Sequence, residues 1–235
     1  MLSTWLRHKI HHHFTSNCHL CGLTISGNIG ETIWCSHCLS HFQPSPRCQQ
    51  CGLPTLIQVD KCGHCLLHPP PWNKLYCIGD YHAPLSNYIH QLKYAGKFYH
   101  AYDLSYLLAQ HIDEPAPVLT CVPIHWKRYL KRGYNQSAII ARYLNLHLLP
   151  PSHLDLHLFR RIKSTPPQQG LNQVERKKNL RGAFQLQHIP SYSHIAIVDD
   201  VVTTGSTVRQ LCKLLLDVGV EKIDIYSLCR TPEPS

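Results

Sequence analysis

Two kinds of residue in this chain are spaced for chemistry: carboxylates beside a run of small hydroxyls, and cysteines in pairs. Asp199 and Asp200 follow the apolar residues 195–198 and precede Val201-Val202-Thr203-Thr204-Gly205-Ser206-Thr207. The apolar run reads as a buried strand of a parallel sheet that ends at the two acids. In open α/β sheets, ligands bind beyond the carboxyl ends of the strands, where the Thr-Thr-Gly-Ser-Thr loop would lie. A Gly among small hydroxyl residues lets main-chain N–H groups turn inward, and a helix start behind them adds positive potential. Together they suit a phosphate monoester. Asp199 and Asp200 repel that phosphate and suit sugar hydroxyls or a hard divalent cation such as Mg²⁺. Phosphate, diol and Mg²⁺ together describe a ribose 5-phosphate derivative.

Eight of the twelve cysteines form CxxC knuckles: Cys18/Cys21, Cys35/Cys38, Cys48/Cys51 and Cys62/Cys65. Two knuckles close one tetrahedral zinc site with no open position, which marks a structural role. Gly22 and Gly52 follow the first and third knuckles, so the two halves read as a tandem repeat. Sequential pairing of knuckles is favoured, and an interleaved pairing fits the same spacing. His19, His37 and His64 lie inside knuckles and read as bystanders. Cys77, Cys121, Cys212 and Cys229 have no partner at metal-site spacing and read as small core residues.

Stepping outward, the expected organisation is an arm (1–17), a double zinc-ribbon module (18–66), a Pro-rich linker (67–74), an α/β domain (75–230) and a tail (231–235). The arm has no apolar h-region and reads as no signal peptide. No apolar run approaches the roughly 18 residues of a membrane span. With zinc in place of disulfides, the expected compartment is the cytoplasm.

In the α/β domain, residues 75–81 read as a strand. Pro84 opens a helix over 85–95, and a second helix runs over 98–111. Residues 93–99 interleave bases with Tyr94, Phe98 and Tyr99. That is the composition of a single-strand stacking platform, although amphipathic packing is the favoured account. Residues 118–124 read as a strand that Pro123 interrupts near its end, setting a tight loop. Lys127, Arg128, Lys131 and Arg132 fall on that loop, before a helix capped by Asn135. Residues 154–159 read as a short strand. Residues 160–170 form a polar basic loop, and 171–179 a helix with Arg176. A lid over an anionic substrate has this composition. A helix after Thr207 with Gly219 as its stop, and a strand over 223–228, complete the domain.

The formal charge of +9 lies in the middle of the chain: residues 91–182 hold fourteen Lys/Arg against five Asp/Glu, while the remainder balances. Two tetrathiolate zinc sites would remove about four of these charges. The basic middle suits diphosphate esters or a nucleic-acid backbone.

The stretch 195–207 resembles the 5-phosphoribosyl 1-diphosphate (PRPP) signature of type I phosphoribosyltransferases. Further matches are residues 122–136, running from Val122-Pro123 to Gly133-Tyr134-Asn135-Gln136, then Arg161 through Leu171, Arg176, and 179–184. With the double CxxC module, the whole resembles the ComF family of competence-associated, phosphoribosyltransferase-like proteins. The resemblance implies a type I phosphoribosyltransferase-like parallel sheet flanked by helices, behind a double zinc ribbon holding two structural zinc ions. It implies PRPP bound with Mg²⁺ at Asp199, Asp200, Val201, Thr203, Thr204, Gly205, Ser206 and Thr207, the two acids serving the metal through the ligand. Pro123, Lys127, Arg128, Arg132, Arg161 and Arg176 would serve the diphosphate or a lid. It also implies a role in natural transformation, handling incoming single-stranded DNA beside other competence proteins. Three readings stay open: a competence protein that binds PRPP and DNA, an active phosphoribosyltransferase on an unidentified nucleobase or amine acceptor, and a PRPP-sensing regulator.

Overall fold

The computed structural model describes residues 17–25, 33–42, 44–163 and 182–231. The chain separates into two compact units, Met1–Pro44 and Ser45–Ser235.

In the smaller unit the first knuckle turns back at Gly22, whose φ is +74°, a conformation that favours glycine. Cys18 N donates to Leu23 O at 2.7 Å and Gly22 N to Cys18 O at 2.8 Å. The second knuckle leads into the short helix α1 (Ser36–Leu39). Trp34 and Phe42 pack with ring centroids 4.8 Å apart and form its small buried centre.

The larger unit begins with the second pair of knuckles. It repeats the same turn at Gly52, where φ is +72°, Cys48 N donates to Leu53 O and Gly52 N to Cys48 O. The short helix α2 (Gly63–Leu67) carries Cys65. This segment is joined to the sheet that follows it: Leu75 N donates to Gln49 O at 2.8 Å, and Arg47 Nη1 meets Asp80 Oδ1 at 2.8 Å.

The main sheet holds five parallel strands in the order β1 (Lys74–Asp80), β7 (Lys222–Arg230), β6 (His194–Val202), β2 (Val118–Cys121) and β3 (His153–Leu154). β6 and β7 are apolar over most of their length and almost wholly buried, as a central parallel strand requires. A two-stranded antiparallel ribbon, β4 (Phe159–Arg161) with β5 (Phe184–Leu186), stands beside it. Helices α3 (Leu85–Tyr94), α4 (Tyr99–Ala109), α5 (Trp126–Arg132), α6 (Gln136–His147) and α7 (Ser206–Leu216) complete the unit. α4 packs on β1 and β7, α6 on β2 and β6, and α7 on β5. The core runs from Trp72 and Leu75 through Ile195, Ile197 and Ile225 to Val208, Leu211 and Leu215. The fold class expected from the sequence is thus observed.

Three local expectations are corrected. β6 does not stop at the acids: Asp199 pairs with Ser227, and the ladder continues to Val202 opposite Arg230. The basic stretch after Pro123 is a helix, not a loop. His125 Nδ1 accepts from Lys127 N at 3.3 Å to start it, and Gly133 at φ +83° ends it. The single strand expected over 154–159 is two strands in different sheets, β3 and β4. The expected helix over 171–179, with Arg176, lies outside the described residues.

Candidate functional site

The C-terminal half of β6 carries both acids, and each meets a different helix. Asp199 Oδ1 accepts from Ser137 Oγ at 3.1 Å and from Asp200 N at 2.9 Å. Ser137 sits in the first turn of α6, which Asn135 caps by accepting from Ser137 N at 3.1 Å. Asp200 is buried, and its Oδ2 lies 3.1 Å from Lys93 Nζ, near the end of α3. Burial and the neighbouring Asp200 carboxylate push Asp199 up from 3.8 to about 7. Burial opposes a charge on Lys93, but the attraction of Asp200 outweighs it and raises its pKa. Lys93 is therefore a member of the acid site that the sequence assigned only to a mixed basic and aromatic stretch.

The loop after β6 turns at Gly205, where φ is +71°. A Cβ there would approach Trp72 Cη2 to 2.9 Å, so both the conformation and the space require glycine. Thr204 Oγ1 and Ser206 Oγ lie 2.7 Å apart, and Ser206 N points at Thr204 Oγ1 at 3.4 Å. Arg209 N donates to Gly205 O, which begins the helical ladder of α7. The amides of Thr204, Gly205 and Thr207 donate to no backbone acceptor among the described residues. Thr203, Thr204 and Thr207 are half-buried. Main-chain donors at the start of an eleven-residue helix, two of them on the half-buried Thr204 and Thr207, can grip a phosphate.

The expected diphosphate residues divide. Arg161 shares an electrostatic neighbourhood with Arg128 and with Asp199. Burial and Arg128 push Arg161 down to about 10, and Asp199 works against them. Burial and then Arg132 lower Arg128. Positive groups that depress one another in this way form a pocket of potential suited to an anion. Arg161 lies in strand β4, buried against the Phe184 ring at 5.4 Å, so it is fixed by the ribbon and is not part of an exposed basic loop. Arg132 donates to Gln136 Oε1 and stands over the Tyr94 ring at 5.6 Å. Lys127 is exposed and reaches over Trp126. Pro123 is buried just past β2. Burial, with Arg161, Lys127 and Arg128 nearby, lowers His125, which keeps Nδ1 available as the cap of α5.

The cysteines gather sequentially. Cys18, Cys21, Cys35 and Cys38 form one group and Cys48, Cys51, Cys62 and Cys65 another, each with all sulfurs within 4.8 Å. Cys21–Cys35, Cys48–Cys65 and Cys51–Cys62 sulfurs lie 3.9, 3.9 and 3.7 Å apart. Four thiolates about 2.3 Å from a tetrahedral zinc stand about 3.8 Å from each other, so both groups fit that ion. Cys62 N also donates to Cys48 Sγ at 3.2 Å, the kind of outer hydrogen bond that steadies a metal-bound thiolate. All twelve cysteines are free of disulfides. No helix among the described residues is long and apolar enough to cross a membrane.

Residues 130–235 match the phosphoribosyl transferase domain family. The chain is 36% identical over 223 residues to DNA utilization protein YhgH of Escherichia coli, covering 91% of this chain and 96% of that protein. It is 34% identical over 216 residues to Competence protein F of Haemophilus influenzae, covering 86% and 93%. To Competence protein ComFC of Streptococcus pneumoniae it is 24% identical over 235 residues, covering 91% and 99%. With the parallel sheet, the loop behind Asp200 and the paired cysteine groups now in view, these relationships establish that the chain belongs to the ComF family of competence-associated proteins with a phosphoribosyltransferase-like domain.

Proposed function

We propose that the protein binds PRPP with Mg²⁺ and acts in the cytoplasm on DNA taken up during natural competence. One observation carries the ligand reading: donor amides at Thr204, Gly205 and Thr207 stand at the mouth of α7, directly after two acids on the same strand. The 5-phosphate sits on residues 203–207. Asp199 and Asp200 would meet the ribose hydroxyls and hold Mg²⁺ through the ligand, and the ion would offset the charge of the diphosphate. Arg128 and Arg161 meet the diphosphate. The eight knuckle cysteines hold two structural zinc ions.

The DNA reading draws on the relatives' names and on one surface. Tyr94, Trp126 and Tyr129 are exposed on α3 and α5, interleaved with Lys127, Lys131 and Arg132. Exposed rings among cations stack single-stranded bases while the cations meet phosphates. An active phosphoribosyltransferase would use the same PRPP site with a nucleobase or amine acceptor.

Thermal stability is followed while PRPP and Mg²⁺ are titrated, and diphosphate release is then measured with a panel of bases. Stabilisation without release supports a binding role, and release with one base supports the enzyme. No stabilisation by PRPP rejects the ligand reading. Single-stranded DNA affinity is measured at two salt concentrations. It should fall steeply as salt rises, and an affinity indifferent to salt rejects the basic surface.

A further inference from the structure

Two side chains join the second cysteine group to the loop after β6. Arg230, the last residue of β7, is buried. Its Nε donates to Cys51 O at 3.0 Å, while its Nη1 donates to Val202 O at 3.2 Å and to Thr203 O. One guanidinium thus ties the main chain of a knuckle cysteine to the first residues of the loop. Trp72 makes the second tie. Its Nε1 donates to Gln50 O at 2.6 Å, and Gln50 Nε2 reaches back to Trp72 O at 3.4 Å. The same indole is the surface against which Gly205 turns, and Arg209 of α7 covers it at 5.2 Å. Gln50 and Cys51 stand inside one CxxC knuckle, so their carbonyl directions follow the knuckle's shape.

A short segment such as 48–65 buries little apolar surface and depends on its metal for shape. Without four-sulfur closure, the Gln50 and Cys51 carbonyls lose the metal's constraint and keep only that of the backbone hydrogen bonds around them, among them Gly52 N to Cys48 O and Leu75 N to Gln49 O. Arg230 and Trp72 would then lose their outer acceptors while keeping contact with the loop. Donor amides at the loop bind a phosphate only when held in one arrangement, and any freedom regained in the unliganded loop is lost again on binding.

We propose that Arg230 and Trp72 are positioning residues through which metal closure at Cys48, Cys51, Cys62 and Cys65 sets the geometry of residues 203–208. Phosphate-ester binding there therefore depends on the second cysteine centre. This rests on the phosphoribosyl reading for its ligand but not for its mechanical link.

The test uses the full-length zinc-loaded chain. Amide hydrogen exchange of the loop is read at its hydrogen-bonded amides, Ser206 N and Arg209 N, with β2 and α6 as internal references, and zinc content is measured alongside. In Cys62→Ser one zinc is lost, and exchange at those amides should rise about tenfold or more while the references hold. In Arg230→Gln, both zinc ions remain and the same loop-specific rise is expected, with PRPP affinity lowered about tenfold. In Cys35→Ser, one zinc is lost and the loop is unaffected. Should Cys62→Ser disturb the references as well, Arg230→Gln decides. Unchanged loop exchange in Arg230→Gln overturns the proposal, as does an equal loop response to Cys35→Ser and Cys62→Ser. If the wild type does not bind PRPP yet its loop responds to Cys62→Ser and Arg230→Gln as described, the link stands and the phosphoribosyl reading falls.

Discussion

Lys93 Nζ stands 3.1 Å from Asp200 Oδ2, joining the end of α3 to the acid pair on β6. Asp200 is buried while the Lys93 side chain keeps partial contact with solvent. Removing one partner of such a pair leaves the other charge without its counter-ion, so Lys93→Met should destabilise the larger unit by about 3 kcal/mol. Asp200 holds the pKa of Lys93 above its ordinary value. The contribution is therefore complete below the unfolded pKa of a lysine and fades as pH rises through the higher folded value. Urea unfolding of wild type and Lys93→Met at pH 8 and above pH 10.5 measures the difference. An equal gap between the two proteins at both pH values would remove the charge pair as its cause.

Asp199 titrates in the opposite sense to an ordinary salt-bridged carboxylate. Its folded pKa, raised from 3.8 to about 7 by burial and by Asp200, means that the native state holds a proton the unfolded chain has released. Its contribution to stability is therefore largest at low pH, declines as pH rises across that window and levels off above it. Asp199→Asn should flatten this slope and be the more stable protein at pH 8. A bound Mg²⁺–diphosphate places a cation beside Asp199 and favours its charged form. PRPP binding near pH 6.5 should then release protons, visible as a calorimetric enthalpy that changes with the buffer's ionisation enthalpy. Absence of that dependence in wild type would show that Asp199 does not change protonation with the ligand.

The parts of the site legible in the sequence are those contiguous in it. The apolar run, two acids and a Gly among hydroxyls announce a strand, a carboxylate pair and an anion loop, and Asn135 announces a cap. Cysteine spacing likewise brings each group of four together. What was hidden depends on pairs distant in the chain. Nothing local to Lys93 points to Asp200, 107 residues away. Arg230 reads as the end of a strand, yet its side chain holds the carbonyls of Cys51 and Val202. Arg161 looks like part of a solvated basic loop, because its burial comes from pairing with Phe184 across β4 and β5. The helix α5 carries no helical signature in the sequence, because it buries no residue and so shows no apolar face.

Gly205 is constrained twice, by a φ of +71° and by the Trp72 ring where a Cβ would lie. Gly205→Ala adds a methyl group in the left-handed region, worth about 1–2 kcal/mol, and presses it on a core indole. The loop must then shift as a whole. The variant should fold with a lowered Tm and lose affinity for PRPP and for ribose 5-phosphate alike, because both use the same amides. Retained affinity for ribose 5-phosphate in a folded Gly205→Ala protein would place the phosphate elsewhere.

Arg161 and Arg128 separate the two ends of the ligand. Arg161 lies in the electrostatic neighbourhood of Asp199, and Arg128 depresses its pKa. Relieving that repulsion offsets part of the packing lost when Arg161 becomes Met, so Arg161→Met should stay folded. The diphosphate would lose a charge-assisted contact worth about 1.5–3 kcal/mol, which is about tenfold to a hundredfold in affinity for PRPP. Ribose 5-phosphate carries no diphosphate and meets only the loop and the acids, so its affinity should not change. Calorimetric titration of both ligands into wild type and Arg161→Met reads the contrast directly. Parallel losses for the two ligands would move Arg161 from the diphosphate to general support of the site.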